Sequence, residues 1–317
     1  SNGGNISFKV DRSSIRQGNA VIAIKDVSDA ILWSWHVWVT DEDINNVIEI
    51  TNHQNVKYNF MPVNLGQCDG NTITYEERSC KVKFIAGDQS KEITIKQLAN
   101  VIATGSNAPF YQWGRKDPLY PSNGMGNTTK IWYDKEGIPS TANPMKGTFS
   151  AGNDCIKNCI LNPNLMHNRY NGDYTYYNLW SADNKTTSAN DNPVNKTIYD
   201  PCPVGFKLPA SNAFTGFTTT GESVSSSTQV NGTWSSSEKG WYFYTNSEKT
   251  QSIFFPALGY RSYSTMRPGS IGTQGCFWSA HPVAKGNNYY LRTSSVDVQP
   301  TYMVDRGFGY ALRPCQD

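Results

Sequence analysis

Charge is scarce in this chain of 317 residues: Asp, Glu, Lys and Arg together make up 17%, below the roughly 25% usual for globular chains. The formal net charge is only +2, and no run of basic residues occurs. Nucleic acid is therefore not an expected partner, because phosphate binding needs clustered cations. Long apolar runs are missing as well. No stretch approaches the roughly 20 residues of a membrane span, so no membrane span is expected in this chain. Histidine is rare. His36, His53, His167 and His281 each stand without a Cys or carboxylate at a recognisable motif spacing. There is no GxSxG elbow, no phosphate-cradling glycine loop and no HExxH helix. The expectation is a non-catalytic protein with no cofactor and no metal. Paired carboxylates for glycoside hydrolysis come from distant positions, so a polysaccharide-active enzyme stays open as the lesser alternative.

Aromatics are what the chain has in quantity, 13% with 18 Tyr and 9 Trp, set among Asn, Ser, Thr and Gly. This composition is common in exported β-rich proteins, and rigid aromatics also suit binding surfaces. Most single Trp residues are expected to fill a core. The start Ser1-Asn2-Gly3-Gly4 reads as a trimmed linker, with a secretion signal or lipid anchor expected to have preceded it. Seven cysteines occur, at 68, 80, 155, 159, 202, 276 and 315. Cys155 and Cys159 form a lone CxxxC with no partner pair and no nearby His at ligand spacing, which speaks against zinc. In an exported chain disulfides are the natural reading, and Cys68 with Cys80 would close a short polar loop. The partners of Cys155, Cys159 and Cys276 stay open. Asn-rich loops carrying Asp154, Asp183 or Asp191 offer oxygen ligands for calcium, but no EF-hand spacing exists. Asp41, Glu42 and Asp43 read as a solvated turn.

Strand signals outnumber helix signals. Residues 20–24 read as a buried strand after Gln17-Gly18-Asn19, and residues 31–39 alternate polar and aromatic. Residues 81–85 and 92–96 alternate around a turn at 86–90, predicting a hairpin with one Lys- and Glu-bearing strand facing water. From about 118 to 195 the chain is dense in Asn, Gly, Pro, Ser and Thr and reads as a long loop region. Within it residues 154–165 predict a short helix, capped by Asp154 and ended by Asn162-Pro163. After 195, five short aromatic or branched runs (241–244, 252–256, 276–280, 289–292 and 310–313) predict a meander with long loops. Pro268-Gly269 and residues 285–288 mark turns between them.

Several segments carry a family resemblance. Residues 110–118 read Phe-Tyr-Gln-Trp-Gly-Arg-Lys-Asp-Pro, residues 199–209 Tyr-Asp-Pro-Cys-Pro-Val-Gly-Phe-Lys-Leu-Pro, and residues 307–315 Gly-Phe-Gly-Tyr-Ala-Leu-Arg-Pro-Cys. With Trp33-Ser34-Trp35-His36-Val37-Trp38-Val39-Thr40 and Asn64-Leu65-Gly66, they resemble the lectin-like C-terminal region of fimbrillin-type surface proteins of Bacteroidales, pilus tip subunits included. Their order is also similar to the secreted bacterial "major paralogous domain" family. The resemblance runs from about residue 18 to the end.

It implies an α+β, C-type-lectin-like fold: a twisted antiparallel sheet, few helices and long loops, over residues 18–317, with 1–17 as linker or remnant of a preceding domain. Residues 67–106 stand outside the resemblance as a β-hairpin-rich insertion. In such folds the chain ends lie on adjacent strands, which implies a Cys202–Cys315 disulfide, stabilising in the chain-entropy model. Trp35, Trp113 and Trp278 fall inside the shared segments and are expected in the core, as is a satisfied His36. Calcium-dependent lectins use Glu-Pro-Asn or Gln-Pro-Asp triplets; this chain has Ala142-Asn143-Pro144, Asn162-Pro163-Asn164 and Asp191-Asn192-Pro193 instead, so calcium-mediated sugar binding is not supported. The related formylglycine-generating enzymes have an active-site cysteine motif with no match here. The function implied is surface adhesion or ligand binding on an exported, cell-surface or outer-membrane protein, with a glycan or a host or microbial surface protein as ligand. A fimbrial pilin is a further implied partner, through strand addition, and an assembly subunit without its own ligand is the alternative. The ligand-site candidates are the aromatics of the C-terminal loops, Trp241, Tyr242, Tyr244 and Tyr263, with Arg261.

Overall fold

The computed structural model describes residues 7–15, 17–68, 72–103, 108–119, 132–133, 139–140, 148–149, 154–168, 176–183, 185–284 and 286–317. The triplet Ala142-Asn143-Pro144 and much of the predicted loop region lie outside these residues, as does most of the predicted 1–17 linker's start. Strands dominate, pair almost always antiparallel, and form several small sheets; the single α-helix among the described residues is short.

The chain opens with a hairpin of β1 (Gly18–Lys25) and β2 (Ile31–Val39). Asp26 shapes its turn, accepting hydrogen bonds from the Ser28 and Ala30 amides at 2.9 Å, an Asx turn that suits Asp and Ser. One face of β2 points at the body: Ser34 Oγ donates to Asp117 at 2.7 Å, His36 bridges Asn19 and the Tyr111 hydroxyl, and Trp38 Nε1 donates to the Gln67 carbonyl. On the other face Trp33 still packs against Tyr199 and Lys116, while Trp35 and Val39 meet solvent. Residues 20–24 are therefore half-exposed rather than buried, and Trp35 is 41% exposed rather than in the core. A two-stranded hairpin has only one face to bury.

β3 (Ile48–Thr51) and β4 (Lys57–Phe60) follow. Then comes a two-stranded ribbon, in which β5 (Thr72–Tyr75) pairs with β8 (Asn100–Ala103) and β6 (Arg78–Ala86) with β7 (Gln89–Gln97). The predicted hairpin is present, but both of its strands are open to solvent: along β6 only Val82 is even half-covered. β9 (Tyr111–Gln112) returns the chain to the body. Next come the short pair β10 (Trp132–Tyr133) and β11 (Pro139–Ser140), then β12 (Thr148–Phe149). α1 (Cys155–Leu161) starts after Asp154 and stops at Asn162, as the sequence predicts, though Asp154 makes no side-chain capping bond. β13 (Met166–His167) runs parallel to β12.

The C-terminal half holds β14 (Phe206–Lys207), a 3-10 helix over Ser211–Phe217, and the meander β15 (Gly232–Ser235), β16 (Gly240–Tyr244) and β17 (Ser252–Pro256). β18 (Tyr260–Arg261) pairs with β19 (Pro268–Gly269), so the predicted turn at Pro268-Gly269 is a short strand. A second meander, β20 (Gly275–Pro282), β21 (Asn287–Thr293) and β22 (Val298–Asp305), precedes β23 (Gly309–Tyr310) and β24 (Cys315–Gln316).

The second meander separates two cores. Successive side chains of a strand point to opposite faces, so Phe277, Leu291 and Val298 enter one cluster, while Cys276, Trp278, Ala280 and Tyr290 enter the other. The first is built on phenylalanines: Phe217 stacks on Phe243 at 3.9 Å, and Phe255 meets Phe60, Phe214, Phe217, Phe243 and Phe277. The second gathers Trp113, Trp180, Trp278, Tyr111 and Tyr310, and its indoles donate to backbone carbonyls of Ser279, Arg115, Tyr199 and Tyr111.

Segments distant in sequence converge here. β23 pairs with β9, and β24 lies between β14 and β4. Arg313, fully buried, donates to Asn64 Oδ1 and to the carbonyls of Met61, Pro62 and Phe254. Asp200 accepts from the Cys202 and Leu208 amides at 2.8 and 3.1 Å, which fixes the Cys-Pro-Val-Gly bend.

The expected disulfides are corrected: all seven cysteines lie among the described residues, and each is a thiol. Cys202 packs in the tryptophan cluster and Cys315 in the phenylalanine cluster, across from Lys207 and Phe60. Cys80 faces solvent on β6 opposite Ile95, whereas Cys68 interacts with the Gly66 carbonyl and the Asn19 amide.

Candidate functional site

The five aromatic-loop candidates separate by strand parity. On β16, Trp241 and Phe243 turn into the phenylalanine core, while Tyr242 and Tyr244 stand on the opposite face. Trp241 is buried and its indole donates to the Ser294 carbonyl at 2.7 Å, so it is a core residue and not part of an open site. Arg261 is also buried, donating to the Met266 carbonyl at 2.6 Å from β18. Tyr263 packs edge-on against Phe308 at 4.8 Å and is half-buried against the phenylalanine core. Of the five, Tyr242 and Tyr244 are brought together on one face.

That face is built from three short antiparallel strands. Tyr242 lies across from Thr233 on β15 and against Phe254 on β17, with ring centroids 4.7 Å apart. Its hydroxyl donates to both oxygens of Glu238 at 2.8 and 2.9 Å; partial burial and this carboxylate raise its pKa above the ordinary phenol value. Tyr244 is two residues along, roughly 7 Å on the same face. Its hydroxyl hydrogen-bonds Thr233 Oγ1 at 2.6 Å, and Lys249 Nζ stands 5.6 Å over its ring, a cation–π contact.

Beside Tyr244 a groove of about 280 Å³ opens between the end of β3 and the turn that joins β16 to β17. Ile50, Thr51 and Asn231 line it together with Thr245, Asn246 and Lys249 of the turn. Asn246 holds the turn: its Oδ1 accepts from the Thr250 and Gln251 amides at 3.0 Å, and its Nδ2 donates to Thr250 Oγ1. Lys249 takes the left-handed backbone conformation that closes it. Asn231 Nδ2 donates to the carbonyls of Gly216 and Tyr244, tying the 3-10 helix to β16. Gly216 has to be glycine, since a Cβ there would lie 2.4 Å from the Thr51 carbonyl oxygen.

Such a groove offers an aromatic face for the apolar side of a ring, an ammonium, and amide and hydroxyl groups for oriented hydrogen bonds. Among the described residues no three of His, Cys, Asp and Glu stand close enough to hold a metal ion. Asp191 accepts hydrogen bonds from Asn52, Tyr58 and Asn212, and Asp183 from Asn195. Sequence reasoning missed Asn231, Asn246 and Lys249. For Asn246 and Lys249 the signal was local, a polar six-residue turn, 245–250, between two aromatic strands; Asn231, just before β15, carried no such signal.

Comparisons with protein-family models, with curated proteins and with solved structures find no match.

Proposed function

We propose that this chain is a non-catalytic, cell-surface adhesion or ligand-binding domain of C-type-lectin-like organisation, of the kind found at a pilus tip. The observation that carries the reading is the groove beside Tyr244, an open concavity edged by an aromatic ring, an ammonium and a fixed amide-bearing turn. Rings presented in this way stack on the apolar faces of sugars or anchor a partner's side chains. The pairing of β24 with both β14 and β4 supports the lectin-like organisation, because it brings the terminal segment back onto the middle of the chain. The test is binding of the full chain to glycan arrays and to immobilised matrix proteins, with and without calcium. Reproducible binding that is indifferent to calcium is expected; absence of binding to every surface would move the reading to an assembly subunit.

That second reading has its own observation. The β6–β7 hairpin leaves Phe84, Ile93 and Ile95 exposed on one face, and among the described residues no further strand pairs with its outer edges. Unpaired strand edges are templates for strand addition by another chain, as in contacts between fimbrial subunits.

A further inference from the structure

Of the seven cysteines, two share one helix face. Cys155 and Cys159 stand at i and i+4 of α1, the spacing at which helical side chains meet, and their thiols hydrogen-bond. Both line a cavity with Trp113, Arg115, Lys116 and His167. The charged groups facing the pair come from the segment after β9: the Arg115 guanidinium, the Lys116 ammonium, and the Asp117 carboxylate bonded to Lys116 at 2.6 Å. His167 on β13 adds no positive charge at neutral pH, since burial holds its pKa at about 3.

Two observations separate this pair from the other thiols. Burial pushes Cys276 and Cys315 up to about 12 and Cys202 well above its ordinary value, the state of inert core thiols. Cys159 moves the other way, to about 7, through the Cys155 hydrogen bond first and the positive charge of Arg115 and Lys116 next, against burial and Asp117. Independently, Arg115 is 3% exposed and its Nε–H has no acceptor among the described residues, although its other nitrogens donate to Gln112 and to the Pro163 carbonyl. A buried guanidinium N–H left open in a cavity wall is a donor awaiting an acceptor.

The cavity has room for about 20 Å³ of solvent, on the scale of one water-sized molecule. Hydrogen peroxide is nearly that small, whereas a bulky disulfide is not. We propose that Cys159 is a reactive-thiol site at which hydrogen peroxide oxidises this chain, with Cys155 as the resolving thiol. The Cys159 thiolate attacks one peroxide oxygen, the O–O bond breaks, sulfur becomes a sulfenic acid, and the departing hydroxide takes up a proton. Cys155, its proton lost to solvent, attacks the Cys159 sulfur; an S–S bond forms, the S–O bond breaks, and a second hydroxide leaves as water. Two thiols are oxidised and one peroxide is reduced to two waters. Helical i and i+4 Cβ atoms lie about 5–6 Å apart, beyond the roughly 3.8 Å of a disulfide, so closure requires the first turn of α1 to shift. Asp154 places no side-chain capping bond against that movement.

The experiment uses the full chain, reduced with a thiol reductant, desalted, and treated with hydrogen peroxide at neutral pH before alkylation and peptide mass mapping. The expected product is a Cys155–Cys159 link, formed about three-fold faster than oxidation of a cysteine-containing model peptide, since the gain in thiolate outweighs the loss in nucleophilicity. Without peroxide, iodoacetamide labelling of Cys159 should reach half its maximal rate near pH 7 rather than the ordinary value of about 8.5. In Cys155→Ser the sulfenic acid should persist and be trapped by dimedone. An alkylation midpoint at or above the ordinary thiol value, or peroxide oxidation at Cys80 with Cys159 untouched, would overturn the assignment; neither readout depends on the variant folding.

Discussion

Arg313 shows how single residues hold this fold together. Its guanidinium is buried with no carboxylate bonded to it among the described residues, lies 4.4 Å from the Phe255 ring, and donates to four acceptors on two separate segments. Burial pushes its pKa down, to about 9, and the four acceptors together with the ring keep the charge tolerable where water is excluded. Removing the side chain strands the Met61, Pro62 and Phe254 carbonyls, each costing about 1–3 kcal/mol when left unsatisfied. Arg313→Ala is therefore expected to destabilise by about 3–5 kcal/mol, read as a lower urea midpoint at unchanged m-value. A loss under about 1 kcal/mol would mean that water or a neighbour replaces the guanidinium.

Among the elements, the ribbon β5–β8 stands apart. Among the described residues its strands pair only with each other, and most described side chains on β6 and β7 are exposed. An isolated two-stranded hairpin is marginal in water, so the ribbon should open without the cores. Hydrogen exchange is expected to exchange β6 and β7 amides at least about 100-fold faster than those of β20 and β21; equal protection would show that the ribbon is covered in solution. Element by element, the sequence was legible where a local rule decides. Alternation marked β2, β6 and β7, and Asp154 with Asn162-Pro163 bracketed α1. It was not legible where burial depends on distant partners. Residues 20–24 read as core from apolarity alone, yet among the described residues no second sheet covers that face. The site was partly legible: two consecutive strand positions, Trp241 and Tyr242, look alike in composition, and only parity about a core decides which one faces out. The Cys155–Cys159 pair was visible as a spacing, but its character depends on Arg115 and Lys116, forty residues upstream.

At the scale of the whole molecule, three histidines are held neutral: His167 and His281 are buried in the body, and His36 is half-buried on β2. Burial lowers His36 and His281 to about 4 and His167 to about 3. In the unfolded chain each titrates near 6.5, so between about pH 6.5 and 4 the unfolded state binds more protons and stability falls with falling pH. Asp200 acts in the opposite sense, because burial raises its pKa, but it is one group against three. Stability measured by urea unfolding should be nearly flat from pH 7 to 8 and decline by about 3 kcal/mol per pH unit near pH 5; a flat profile down to pH 4 would show that these histidines are charged in the fold. The same architecture leaves one aromatic face of β16 outside both cores, and the proposed function rests on it. The most direct measurement is the affinity of Tyr244→Ala and Tyr263→Ala for whichever glycan or matrix protein the intact chain binds. Loss of a stacking or anchoring ring is worth about 2 kcal/mol, so Tyr244→Ala should weaken binding roughly 30-fold while Tyr263→Ala leaves it unchanged. Unchanged binding in Tyr244→Ala would contradict the account and remove the groove from the site.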